Sequence, residues 1–414
     1  MTNSTGAFGA LAGTTIVDLT RVLGGPYCTQ ILADHGAEVI KIEPPTGDET
    51  RGWGPPFRDG LSAYFSGANR NKEFMALDLS KAEGRDVLFK LLETADVLIH
   101  NFKTGTLEKW AMGWTEVLQP RFPRLIYCHI TGFGDEGPMG GLPGYDAVIQ
   151  ALSGTMSING LQDGGPLRMG TPIVDLGTGM TAAIAILMAL LEREKSGLGQ
   201  KLDVSLYDSA IAMLHPQAAN VLMTGKPSKR IGNAHPNISP YDLFPTRTAP
   251  VFLAIGNDRQ FAKLCAFLGK PDLAEDARFL DNARRVENRD ALRGELMALL
   301  ADRDAESLTE TLLGIGVPAG AVRDLREVLD HPHTRFQHMV VEIDGYRGTG
   351  IPAKMSRTPG AVRRAPGALG QDSRAVLRAR GWSERQIADL VAAGILVAGE
   401  EDEAEAAHEM ETSA

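Results

Sequence analysis

Short β-rich runs alternating with helical patterns between residues 15 and 130 predict an α/β fold with a parallel sheet. A chain of 414 residues exceeds the ~250–300 that one hydrophobic core usually serves, so a second domain is expected, and the 43% apolar content supplies both cores. The stretch 173–193 is apolar almost all round, which predicts a long helix buried in its domain or at a subunit interface.

In order, the strands of the first half read as 15–19 (Thr-Ile-Val-Asp-Leu), 38–43, 74–79, 96–100 and 125–130, with helices at 26–35 and about 81–94 between them. Parallel sheets bind ligands at the carboxyl ends of their strands, so the loops that follow these runs are where chemistry is sought. Two of the loops, 44–71 and 132–170, are long and rich in Gly and Pro, and loops of that length inside compact domains tend to be functional. A strand at 201–206 follows the apolar helix. The chain then turns Pro-rich between 215 and 250, which places a linker at 206–245. A small domain is expected over 246–345, from a strand at 251–255, helices near 258–268, 284–300 and 305–313, and a strand-like segment at 340–343. An amphipathic helix at 383–395 precedes an acidic tail, 399–414, with too little apolar content to fold.

A net charge of −10 with no basic block argues against a nucleic-acid partner. Cys28, Cys128 and Cys265 lie about a hundred residues apart, which suits neither a disulfide framework nor a metal site and points to the cytoplasm. The longest apolar run, 182–191, is far short of the ~20 residues that span a bilayer, and no targeting segment is visible.

Gly132-Phe133-Gly134-Asp135-Glu136-Gly137 matches a dinucleotide fingerprint and follows a strand. Pro138, Gly140, Gly141 and Pro143 then prevent the helix whose N-terminus would receive a diphosphate, and Asp135 and Glu136 would repel it, so the nicotinamide reading fails. His331-Pro332-His333 reads as a surface turn, so no metal is expected at His331, His333 and His338. No G-x-S-x-G elbow and no P-loop occur. Asn69-Arg70-Asn71-Lys72 frames two cations with amides, a pattern that suits a phosphate-bearing ligand as well as a solvated loop. Asn101-Phe102 stands at the end of a strand, where an amide and an aromatic could hold a nucleobase, or where Phe102 could simply pack. Asp175 lies between Gly170-Thr171-Pro172 and the Gly-punctuated start of the apolar helix. Locally it reads as a helix N-cap.

Taken together these segments resemble the family III CoA transferases. The resemblance is carried by Asp18-Leu19-Thr20-Arg21-Val22-Leu23-Gly24-Gly25-Pro26, by Leu32-Ala33-Asp34-His35-Gly36-Ala37-Glu38-Val39-Ile40-Lys41-Ile42-Glu43, by Asn69-Arg70-Asn71-Lys72 with Leu77-Asp78-Leu79, and by Asn101-Phe102. It continues through Thr131-Gly132-Phe133-Gly134, Gly144-Tyr145-Asp146 and Gly232-Asn233 to about residue 395.

The resemblance implies a Rossmann-like large domain over 1–205, completed by about 365–400, a smaller α+β domain, and an interlocked homodimer. It implies that Asp175 attacks an acyl-CoA thioester to give an aspartyl-acyl anhydride, and that the CoA thiolate completes the transfer once an incoming carboxylate has taken the acyl group. A carboxylate with an ordinary pKa of ~3.9 would be ionised at pH 7 and need no partner base. No tightly bound cofactor is implied, since the CoA thioester is itself the substrate. CoA contacts are implied at Val22, Leu77, Asn101, Phe102 and Lys109, with Asn69 and Lys72 bordering the nucleotide. Arg51, Arg168 and His235, with Tyr145, are candidates for the acyl group or acceptor acid, and a second carboxylate to be read would suit a dicarboxylic acyl group such as succinyl. Two departures stand out. Pro44 replaces a basic residue that often follows the strand ending at Glu43, and no glycine-rich lid follows Ile231, which disfavours formate or oxalate as substrates. Acyl-CoA racemases share the fold and pair the equivalent of Asp175 with a His; Tyr145 stands there in this chain, and a phenol with a pKa of ~10 is a poor proton shuttle at pH 7.

Overall fold

The computed structural model describes residues 9–399; the acidic stretch from 400 onward lies outside them. The described chain divides into two compact units, the first made of residues 9–153, 170–213 and 332–399, the second of 154–169 and 214–331.

The first unit is built on a seven-stranded sheet. Six strands run parallel: β1 (Thr15–Asp18), β2 (Glu38–Glu43), β3 (Glu73–Leu77), β4 (Val97–His100), β5 (Ile126–Thr131) and β6 (Lys201–Ser205). Their spatial order is β3-β2-β1-β4-β5-β6, and the short strand Leu396–Val397 pairs antiparallel on the β3 edge. This is the doubly wound order, in which the direction of winding reverses between β1 and β4 and leaves a crevice beyond their carboxyl ends. β-Branched runs such as Thr-Ile-Val in β1 favour the pleated surface. Alternate residues serve opposite faces: Val17, Ile40 and Leu98 pack with Val87, Leu88 and Leu91 of α2 (Ala82–Leu92). Ile16, Val39 and Ile99 pack with Cys28 and Leu32 of α1 (Gly24–Asp34) and with the apolar helix on the other face. Burial on both faces explains why the strands read as continuous apolar runs.

After α3 (Asp146–Leu152) comes that apolar helix, α4 (Ile173–Ser196), stopped at Gly197, whose φ of 76° needs no Cβ penalty. By length and hydropathy alone α4 is apolar enough to cross a membrane. In the fold it lies along α1 and the sheet, with Ala182, Ala183, Ile186 and Ala189 in the core. Gly177 and Gly179 cost a helix about 1 kcal/mol each relative to Ala. The close crossing with α1 accounts for Gly179: a Cβ there would stand 2.5 Å from the Gly24 carbonyl oxygen.

The expected linker at 206–245 is not irregular throughout. It carries α5 (Leu206–Ala212) within the first unit, and the helix Gln217–Thr224 and strand β7 (Tyr241–Phe244) within the second. Good helix formers between Pro216 and Gly225 explain that helix. In the second unit β7, β8 (Val251–Ala254) and β9 (Ala319–Ala321) form an antiparallel sheet, backed by helices such as Asp258–Phe267 and Arg289–Leu300 around a core of Phe244, Leu253, Phe261, Leu264 and Leu296. The hairpin Val340–Ile343/Tyr346–Thr349, whose first strand the sequence groups with the small domain, belongs to the first unit.

Candidate active site

Glycine and proline after β1 set up the site. Thr20 to Leu23 turn sharply into α1, and Val22 adopts a φ of 72°, an outlier for a β-branched residue. The turn is held from two sides. Asn101, just beyond β4, accepts the Arg21 N–H at 2.9 Å and donates to the Arg21 carbonyl at 2.8 Å. Asp48 lies 3.3 Å from the Val22 nitrogen and is itself paired with the fully buried Lys41 at 3.1 Å.

Beneath the turn lies a buried ion pair, Lys72 and Asp18, at 3.2 Å. Although burial pushes it up, the Asp18 carboxyl is held below its ordinary value by Lys72 and Lys41 and by the hydroxyls of Thr20 and Thr29. Lys72 is pushed down to about 8, because burial, with the repulsion of Lys41, outweighs the attraction of Asp18 and Asp48.

Loops after β1 (residues 21–25), β4 (101–104) and β5 (130–132), together with 141–145, enclose a cavity of about 250 Å³ at the reversal point of the sheet. Asp175 lines it, in the first turn of α4 and against Gly24, whose added Cβ would sit 3.7 Å from the Asp175 Oδ1. The first N–H groups of α4 are all satisfied, and none by Asp175. Ile173 donates to Thr171 O, Leu176 to Pro172 O, and Val174 and Asp175 donate to Asp146 Oδ2 at 2.8 and 3.1 Å. The helix cap read locally at Asp175 is therefore made by Asp146.

Freed from capping, the Asp175 carboxylate receives no hydrogen bond among the described residues. Burial, and then the charge of Asp146, push its pKa up to about 7. This corrects the expectation of an acid fully ionised at pH 7 without help: roughly half of it is protonated there.

The residues singled out by sequence separate into groups. Val22, Asn101, Phe102, Tyr145 and Asp175 all line the cavity. Asn69, Lys72 and Leu77 do not: all three are buried, Asn69 bonding the Phe65 carbonyl and the Lys72 ammonium, and Leu77 lying in the core. Their loop turns its polar groups inward to support the β1–α1 turn. Lys109 is exposed at the end of a four-residue helix and does not line the cavity. Arg51 is committed to Glu43, at 2.7 and 2.8 Å, and to the Gly367 carbonyl, with its guanidinium over the Phe65 ring. Arg168 and His235 lie in the second unit, where His235 accepts from the Asn237 N–H and faces Tyr241.

Sequence reasoning missed Arg21, Lys103 and Glu49 on the cavity wall, and missed the cap at Asp146. Arg21 pairs with Glu49 at 3.3 Å. Its position at the end of β1 was the available signal. Among the described residues one group could hold a metal, His129, Asp135 and Asp203, but the Lys201 ammonium already stands 2.8 Å from Asp135 and 3.0 Å from Asp203. The fingerprint 132–137 is followed by turns, with no helix before α3.

A doubly wound sheet with a carboxylate exposed to the crevice at its reversal point is the arrangement of an enzyme that binds a small ligand there. The chain belongs to CoA-transferase family III, whose sequence model matches residues 11–373, and it is a CoA-transferase. It is 39% identical over 379 residues to the succinate–glutarate CoA-transferase of Agrobacterium fabrum, covering 89% of this chain and 94% of that protein. It is 39% identical over 350 residues to the acetyl-CoA:oxalate CoA-transferase of Acetobacter aceti, covering 84% of this chain and 90% of that one. The crystal structure of a CAIB/BAIF family protein from Brucella suis superposes with a TM-score of 0.81 at 39% identity, over 90% of this chain and all of that one. A relative that acts on oxalate is as similar as one that acts on glutarate, so the comparisons give no support to setting oxalate aside.

Proposed function

We propose that Asp175 carries CoA transfer through a covalent anhydride, and that the acyl groups exchanged are dicarboxylic, with succinyl-CoA as donor. The observation that carries the mechanism is the free Asp175 carboxylate on the wall of the cavity. Its ionised form adds to the thioester carbonyl and expels the CoA thiolate, leaving an aspartyl-acyl anhydride. That anhydride has two carbonyls. Return of the thiolate to the acyl carbon regenerates the donor, whereas attack at the aspartyl carbon releases the donor acid and leaves CoA as a thioester on Asp175. An acceptor carboxylate then runs the same steps in reverse, and Asp175 ends unchanged. A covalent route keeps each activated group on the protein, where water is more easily kept away than from a free mixed anhydride. Succinyl-CoA as donor is supported by the relatives named for succinate and glutarate.

The enzyme is further read as a cytoplasmic, interlocked homodimer. Three free, buried cysteines suit a reducing compartment, and Met180, Ile184, Met188 and Leu191 form an exposed apolar stripe along α4 of the kind that a second subunit covers. Light scattering on the purified protein gives the mass directly.

A carboxyl poised near pH 7 also suits proton transfer, which favours the racemase reading on that one point. Tyr145, 57% exposed where a racemase has its His, is a poor second acid. Incubation with succinyl-CoA followed by hydroxylamine is expected to convert Asp175 to its hydroxamate, read by peptide mass. An unmodified Asp175 during turnover rules out the anhydride, and solvent deuterium entering the acyl α-carbon without any acceptor acid would establish the racemase.

A further inference from the structure

Asp146 opens α3 and is only 8% exposed. One carboxylate oxygen, Oδ2, accepts the N–H groups of Val174 and Asp175, while Oδ1 accepts from Nε2 of the fully buried Gln150 at 2.6 Å. Helices usually take such a cap from the residue that precedes them. Pro172 stands there before α4 and its ring carries no acceptor, so the cap comes from another helix, 29 residues upstream of Asp175. Asp146 therefore ties the start of α3 to the backbone of the residue whose carboxylate faces the cavity.

The charge of Asp146 also falls on that carboxylate. Around Asp175, the Ala63–Ser66 helix contributes Tyr64, whose phenol is pushed up to about 12 by burial, by Asp175 and by Asp146. α1 contributes Tyr27, packed at Gly179. α5 contributes Tyr207, which packs on Phe133, and Asp208. On the sheet side, His129, Asp135, Lys201 and Asp203 are occupied with one another. The cavity wall that Asp175 shares also carries Lys103 and Arg21, the latter paired with Glu49 at 3.3 Å. The charge that shifts the Asp175 carboxyl, after burial, is that of Asp146. When Asp175 is acylated it loses its charge, and the repulsion from Asp146 is relieved. A fixed negative neighbour thus favours the covalent intermediate over the free carboxylate and makes that carboxylate the stronger base.

We propose that Asp146 is a positioning residue of the transfer reaction, fixing the backbone of Asp175 through a cap supplied by another helix and adding its charge to the effect of burial on the nucleophile. This rests on the reading of Asp175 as nucleophile. Asp146→Asn keeps the size and an acceptor oxygen for the cap, and Gln150 can turn its amide to accept from the new NH2 group. In wild type, kcat is expected to rise with pH through about 7. In D146N that acid limb moves to lower pH but stays above the ordinary carboxyl range because the burial remains, kcat on the alkaline plateau falls about tenfold, and KM for acyl-CoA stays within about twofold. Asp146→Ser, which also offers an oxygen without a charge, is read in the same way. An acid limb left in place in whichever variant folds overturns the proposal, and failure of both to fold makes Asp146 a structural cap only, which also overturns it. The hydroxylamine trap on wild type separates the two readings. If Asp175 is not labelled, the nucleophile reading falls and takes this one with it; if it is labelled while the D146N profile is unmoved, only the present proposal falls.

Discussion

Asn101 holds the peptide groups on either side of Arg21, accepting from its N–H at 2.9 Å and donating to its carbonyl at 2.8 Å. The side chain that the family resemblance marks as a CoA contact is thus committed to the neighbouring loop, across the point where the sheet reverses. Its effect on a ligand runs through the shape of the β1–α1 turn. Asn101→Ala removes two hydrogen bonds worth about 1 kcal/mol each, so KM for acyl-CoA is expected to rise about tenfold to thirtyfold, with kcat within about threefold. Steady-state kinetics with the donor varied checks this, and an unchanged KM would show that the clamp has no bearing on binding.

Strain at Val22 makes a separate prediction. A β-branched residue at φ 72° costs roughly 1–3 kcal/mol, and glycine removes that cost. Val22→Gly is expected to stabilise the protein to urea by about 1 kcal/mol after its own entropic penalty, while weakening acyl-CoA binding as the turn loosens. Equilibrium unfolding and a binding titration on the same preparation would measure both.

Lys72 and Asp18 form a buried pair, so removing Lys72 takes from Asp18 its strongest cation and leaves Lys41 and two hydroxyls to hold a buried charge. Lys72→Met alone is expected to cost about 3–5 kcal/mol, and the double change with Asp18→Asn to recover more than half of that. Thermal melts of the four proteins in the cycle report the coupling. If K72M melts like wild type, the pair does not support the turn.

Stability should also respond to pH through Asp175. Its folded-state pKa, about 7, lies above the ordinary carboxyl value of 3.8, so the folded protein favours the protonated form. The stability this contributes is fully present below pH ~4 and is lost as pH rises through about 7. Asp175→Asn, which cannot ionise, is expected to exceed wild type in stability at pH 8 by on the order of 2 kcal/mol, allowing for partial access of solvent, with the difference vanishing near pH 4. Unfolding curves at the two pH values test both the sign and the window.

The parallel strands of the first unit and helices α1, α2 and α4 were legible because short β-rich runs alternate with periodic apolar segments, whereas α3 and α5, each seven residues long, were hidden in stretches that read as loop and linker. Asp175 was legible as a lone carboxylate at the mouth of the most apolar helix. Its surroundings were not. The cap from Asp146 spans 29 residues and two helices, and no local pattern carries it. The run from Asn69 to Lys72 reads as a loop open to solvent or ligand, yet Asp18 and the Phe65 carbonyl draw its polar ends inward. Sequence spacing cannot say which way a polar side chain points when its partner is fifty residues away. The pKa of Asp175 depends on burial and on one distant charge, so its ionisation at pH 7 could not be read from residue type.

The glycine crossing of α1 and α4 bears on any attempt to make this enzyme more robust. Replacing a mid-helix glycine by alanine ordinarily gains about 1 kcal/mol. At Gly179 the new methyl carbon would fall 2.5 Å from the Gly24 carbonyl oxygen and drive α1, with the cavity wall it begins, away from Asp175. Gly179→Ala is therefore expected to lower both the melting temperature and kcat, and in this helix the usual route to a hardier protein runs directly against its chemistry.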